Sequence, residues 1–92
     1  MDQPALLLED YREQAVVLDM VSPFVIIGTL TGWDDRYLVL KDADVHDLRD
    51  TTTTRELYVI ETRRFGIRVT RERVLVKLSD VVTISSLADV LD

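Results

Sequence analysis

His46 is the only histidine in the chain, and Asp42, Asp44, Asp47 and Asp50 surround it in sequence. Imidazole and carboxylates can ligate a metal, but no second histidine and no cysteine is present to complete a transition-metal set. The aspartate spacing is not that of a calcium loop. The reading is a solvated histidine in an acidic loop, with no metal. Covalent catalysis needs a base positioned beside a hydroxyl or thiol nucleophile, and no such spacing occurs around the one histidine. With 3 glycines, the sequence has no phosphate-cradling loop. The chain is therefore expected not to be an enzyme and to need no cofactor. A second feature is a basic run: Arg63, Arg64, Arg68, Arg71, Arg73 and Lys77 hold six of the 11 basic residues. Nucleic-acid affinity rests largely on such cations neutralising phosphates. Against a net charge of −6, the cluster reads as a solvated face that balances acids elsewhere.

The elements that would position these groups are short and mostly extended. Residues 3–13 predict a helix, capped by Asp2 with Pro4 in its first turn, and Leu7, Leu8 and Tyr11 share one side. That side is expected to cover the open end of a sheet. Residues 15–21 read as a strand buried on both faces. Ser22-Pro23 breaks it, and residues 24–31 form a second strand that Gly28 interrupts, the mark of a bulge or sharp bend. Tyr37 to Leu40 form a third strand, followed by a polar segment, residues 41–50. Residues 54–65 favour a helix. Thr53 and Glu56 have the spacing of a capping box, and Gly66 suits the position past the C-terminus. The stretch Leu57-Tyr58-Val59-Ile60 carries a competing strand propensity. Residues 73–78 alternate, with Val74 and Val76 on one face. Ser79-Asp80 turns the chain into a last strand, residues 81–85. Trp33 suits packing at the end of a barrel better than an exposed stacking role, because large aromatics dominate small cores.

All 92 residues fit one domain, whose own core would be marginal and would gain from association. There are no cysteines, hence no disulfides. The acidic start, with an apolar run of three leucines, resembles neither a signal peptide nor a membrane span. A cytoplasmic protein with no membrane partner is expected.

Two blocks make the pattern more specific. AVVLDMVSPFVIIGTLTGWDDRYLVLKDA, residues 15–43, resembles the first signature of the Sm and Sm-like family, with Gly28, Gly32, Trp33, Asp34 and Asp42 where that signature places such residues. VLVKLSDVVTI, residues 74–84, is similar in length and apolar pattern to the second. The resemblance is to a divergent bacterial or archaeal-type member. It implies a mostly β fold: a small, five-stranded, strongly bent antiparallel barrel of the SH3-like kind. An N-terminal helix precedes it, and a helix is inserted between the third and fourth strands. It also implies a homo-oligomeric ring of five to eight copies, in which residues 73–78 of one copy pair with residues 81–85 of the next.

In that family, single-stranded RNA binds around the central pore. An asparagine before the third strand reads the base, a neighbouring side chain stacks on it, and an Arg-Gly pair completes the pocket. In this sequence Leu38 falls at the asparagine position, or the position is deleted, and Lys77-Leu78 replaces the Arg-Gly pair. Leucine offers no hydrogen bond to a base edge, which specific single-strand recognition requires. Asp34, Arg36, Tyr37 and Lys77 remain as RNA-binding candidates, with Tyr37 or Arg36 stacking and Lys77 at phosphate. Weak, sequence-tolerant binding by a chaperone or scaffold is one reading. A protein-interaction ring that kept the fold and lost the pocket is the other. The inserted segment, residues 44–72, is expected to carry a protein partner on one face of the ring. Deletion of residues 50–66 should then leave the ring intact.

Overall fold

The computed structural model describes residues 4–92. The chain runs α1 (Pro4–Glu9), β1 (Ala15–Met20), β2 (Phe24–Trp33), β3 (Tyr37–Asp47), α2 (Arg55–Phe65), β4 (Arg71–Lys77) and β5 (Val81–Ser86). Short 3-10 turns follow β3, β4 and β5. The strands form one antiparallel sheet in the order β4-β3-β2-β1-β5. The second and third strands are longer than the sequence suggested, and the polar segment 41–50 is largely strand. Its residues are polar because they face solvent or hydrogen-bonding partners, not because the chain leaves the sheet.

A bend forms where β2 meets the middle of β3. Ile27 opposes Asp44 and Thr29 opposes Lys41, so Gly28 stands against two residues, Asp42 and Ala43. This is a bulge on β3, and Asp42 occupies it with φ 49°. Gly28 is required because a Cβ there would lie 2.7 Å from the Ala43 Cβ. A second irregularity leaves Thr31 as the extra residue on β2, and its hydroxyl donates to the Val39 carbonyl at 3.2 Å.

Bending gives the sheet two apolar faces. The inner cluster contains Val16, Leu18, Ile26, Leu30, Leu38, Leu40, Ala43 and Val76, with Leu8, Tyr11 and Trp33 packed against it. Leu8 and Tyr11 thus cover the barrel as expected, and Trp33 packs rather than projecting. Arg12 lies over the Trp33 ring, 4.5 Å from its centroid. The helix is shorter than predicted, and Leu7 is exposed. Glu13 takes φ 62°, outside the helical region, and its amide donates to the Leu30 carbonyl at 2.7 Å. The proposed cap, Asp2, lies outside the described residues.

The outer cluster is Val17, Val25 and Ile27 beneath Val59 of α2, with Tyr58, Leu48, Ile67, Leu87 and Val90 around them. β1 is therefore buried on both faces, as its sequence implied. The residue that caps α2 is Thr54, not Thr53: its hydroxyl accepts from the Leu57 amide at 3.2 Å. Gly66, at φ 94°, closes the other end by donating its amide to the Thr62 carbonyl at 2.8 Å. Capping and burial of Val59 override the strand propensity of Leu57 to Ile60.

This packing corrects the expectation for the inserted segment. It spans residues 48–70, because residues 44–47 belong to β3 and 71–72 to β4. It is not a detachable decoration. Removing residues 50–66 would strip α2 from Val17, Val25 and Ile27, each at most 2% exposed. Arg55 adds a tie, reaching Asp19 at 2.9 Å, while the Thr83 hydroxyl donates to the other Asp19 carboxylate oxygen at 2.8 Å. Among the described residues no helix is long and apolar enough to cross a membrane.

Candidate functional site

The loop between β2 and β3 is shaped by Asp34. One of its carboxylate oxygens accepts from the amides of Arg36 and Tyr37, each at 2.8 Å, and its own amide donates to the Tyr37 carbonyl at 3.0 Å. Such turns are why aspartate is common at this position in tight loops. The Arg36 and Tyr37 amides hold the Asp34 carboxyl below its ordinary pKa. That oxygen is thus committed to the backbone, and Asp34 shapes the loop.

The 3-10 turn after β4 docks against this loop. The Leu78 amide donates to the Arg36 carbonyl at 2.8 Å, and Tyr37 is the cross-strand partner of Lys77. Asp35, Arg36, Tyr37, Lys77, Leu78 and Ser79 line one shallow depression. Three of the four candidates, Arg36, Tyr37 and Lys77, come together there, and Tyr37 is 38% exposed. An exposed tyrosine sharing a depression with two cations can stack on a base while the cations meet phosphate. Leu38 is 1% exposed and sits in the inner core. It presents nothing to a ligand.

His46 is not in a solvated loop. It lies in β3, half-buried, and stacks on the Tyr58 ring with centroids 4.0 Å apart. Its Nε2 is buried and has no hydrogen-bond partner among the described residues. Beside it, buried Asp44 accepts from the hydroxyls of Tyr58 and Thr70, the latter at 2.8 Å. Burial, then the Asp44 hydrogen bond, raise the Tyr58 pKa. The cluster joins β3, α2 and the residue just before β4, and sequence reasoning missed it because its members are far apart in the chain. Among the described residues no group of three His, Cys, Asp or Glu side chains is placed to hold a metal ion. Of the basic run, only Arg64 makes an ion pair among the described residues, with Asp92 at 2.9 Å. The rest of the run makes no ion pair among the described residues. Arg71, Arg73 and Lys77 stand along β4.

Several solved structures share this fold. A Pyrococcus abyssii Sm protein, solved in complex with a uridine heptamer, matches with TM-score 0.61 and 18% identity, over 92% of this chain and 99% of that one. An Sm-like protein from Archaeoglobus fulgidus gives TM-score 0.60 at 18% identity, over 94% of this chain and 96% of that one. The P. aerophilum SmAP1 heptamer gives TM-score 0.60 at 18% identity, over 94% and 95%. No protein-family model matches the sequence, and no curated protein matches it. The fold is Sm-like: a bent five-stranded antiparallel sheet with a short helix before it.

Proposed function

We propose that the chain assembles into a closed homomeric ring of five to eight copies and binds single-stranded RNA weakly, as a chaperone or scaffold. The exposed Tyr37 that shares a depression with Arg36 and Lys77 carries this reading. Two further features support it. Strands β4 and β5 are the unpaired edges of the sheet, and such edges must be covered or paired. Joining β4 of one copy to β5 of the next satisfies every edge when the ring closes. The uridine heptamer on the P. abyssii Sm protein supports the ligand class for a ring of the same fold.

Each site is weak on its own, because Leu38 supplies no base-edge contact and two cations give limited phosphate attraction. A ring repeats the site, so one RNA strand spanning several copies gains avidity without new contacts. Binding of this kind tolerates sequence, because every base has a stacking face. A second reading is a protein-interaction ring. The buried Leu38, the net charge of −6 and the exposed Leu57 and Phe65 of α2 favour it. On that reading the inserted segment carries the partner.

Titration of labelled oligo-uridine and of a mixed-sequence RNA at two salt concentrations separates the two. The RNA reading expects similar weak binding of both probes, falling steeply with salt. Tyr37→Ala should cost ~1–3 kcal/mol, roughly 5- to 150-fold in affinity. No binding at low salt by an intact ring rejects the RNA reading and leaves the protein ring.

A further inference from the structure

The outward face of the β3–β4 pair extends beyond the Tyr37 depression. Leu38 and Leu40 of β3, and Val74 and Val76 of β4, point into the inner cluster. Side chains alternate along a strand, so Tyr37, Val39 and Lys41 face outward beside Lys77, Leu75 and Arg73. The register aligns them as pairs: Tyr37 with Lys77, Val39 with Leu75, and Lys41 with Arg73. Among the described residues no helix covers this face, since α2 packs over Val17, Val25 and Ile27 instead. Leu75 is 51% exposed. Four residues along a strand place the two cationic ends ~13 Å apart. The cations are available. Arg73 and Lys77 make no ion pair among the described residues, and Lys41 has only a 4.0 Å approach to Glu13.

We infer that this face is a nucleotide platform that carries a single RNA strand away from Tyr37 along β4, with Leu75 and Val39 under a second base and Lys41 and Arg73 at a second phosphate. It rests on the RNA reading above. Charge complementarity identifies the occupant: an apolar strip with cations at both ends matches a chain that alternates flat apolar faces with anions. The nearby acids are Asp35 at the Tyr37 end, and Glu13, which approaches Lys41, with Asp42 and Glu72 at the other. Glu72 alternates with Arg71 and Arg73, which turns it away from the platform. Pairing of the β4 edge in a ring uses backbone groups and leaves the platform face open.

The test compares wild type with a Lys41→Ala/Arg73→Ala variant, binding a mixed-sequence RNA dinucleotide and octanucleotide over a salt series. Removing both cations from that one phosphate should make the octanucleotide's log–log salt slope shallower by about 0.7. The dinucleotide, which fills only the Tyr37 depression, should bind unchanged. A Lys41→Arg/Arg73→Lys variant should keep the wild-type slope. Circular dichroism and native mass check that each variant keeps the fold and assembly. An unchanged octanucleotide slope, or equal loss for both probes, overturns the platform and leaves the Tyr37 site standing. Failure of wild type to bind either probe overturns the RNA reading and the platform with it. Binding of polyglutamate in place of RNA, lost in the alanine variant, assigns the face to an acidic protein and overturns the proposal.

Discussion

Replacing Gly28 with alanine places a methyl group where the sheet bends most tightly. The new Cβ would lie 2.7 Å from the Ala43 Cβ and 3.1 Å from the Ala43 Cα. Carbon atoms rest at about 3.5–4.0 Å, so β2 and β3 must part by roughly 1 Å at the bulge. Leu40 Cδ2, also 3.1 Å away, can swing aside, but the two Ala43 atoms belong to or adjoin backbone, and no rotamer change relieves them. Overpacking a core costs typically ~1–3 kcal/mol, and this rigid collision belongs in the upper half, about 2–3 kcal/mol. In a domain of this size that lowers the melting temperature by roughly 10–20 °C. The matching variant Gly28→Ala/Ala43→Gly removes one of the colliding methyls but leaves the other pressed against the backbone at position 43, so it should recover about half the loss. The coupling between the two sites should reach at least ~1 kcal/mol. Urea unfolding followed by circular dichroism measures this, at one fixed protein concentration because assembly adds to apparent stability. A loss below ~0.5 kcal/mol for the single variant, or a double variant no better than the sum of the two singles, would refute the bulge as the reason for glycine.

Three other outcomes follow from the same structure. Tyr58→Phe removes the hydroxyl that donates to buried Asp44 and should cost ~1–3 kcal/mol in urea unfolding, because one carboxylate oxygen is left unpaired; no loss would mean water replaces the hydroxyl freely. Val59→Asp puts a charge over Val17, Val25 and Ile27 and should detach α2, seen as lost helical ellipticity and fast amide exchange from residue 55 to 65, whereas Leu57→Asp on the exposed side should do neither. The Asp47 carboxyl, held down to about 2 by the Arg49 side chain and amide, should titrate near that value by carbon NMR. A depressed carboxylate stabilises above its ordinary pKa of 3.8 and loses that contribution as pH falls through about 2. The 3-10 turn that Asp47 caps should therefore stay closed at pH 4 and open towards pH 2.

The sheet was legible because its strands obey a period of two and are bounded by turn residues, and Gly28 marked the bend. β3 was cut short for a physical reason. The bulge at Asp42 breaks the alternation, and beyond it Asp44 and His46 are polar residues satisfied or stacked by α2. α1 gives way after Glu9 to tighter turns, and the chain is then tied to β2 by the Glu13 amide on the Leu30 carbonyl, a tertiary hydrogen bond that no local pattern encodes. In the site, Tyr37 and Lys77 were named together from the family resemblance of the two blocks, and the β3–β4 register makes them cross-strand partners. The role of Asp34 could not be read in advance, since an aspartate in a loop reads equally as ligand or as backbone clamp. The basic run was read as a solvated face, and its β4 members are exposed, but which β3 residues stand beside them could not be read from the sequence.

Sedimentation velocity of the full chain mixed with a dye-labelled, mixed-sequence RNA, at low salt, tests assembly and binding together when followed at the dye's absorbance. The account predicts that the dye travels with a protein species of five or more copies, and that Tyr37→Ala returns it towards the rate of free RNA without altering that species. A protein that sediments as a monomer at micromolar concentration, or an intact ring with the dye left behind at every concentration, would contradict it.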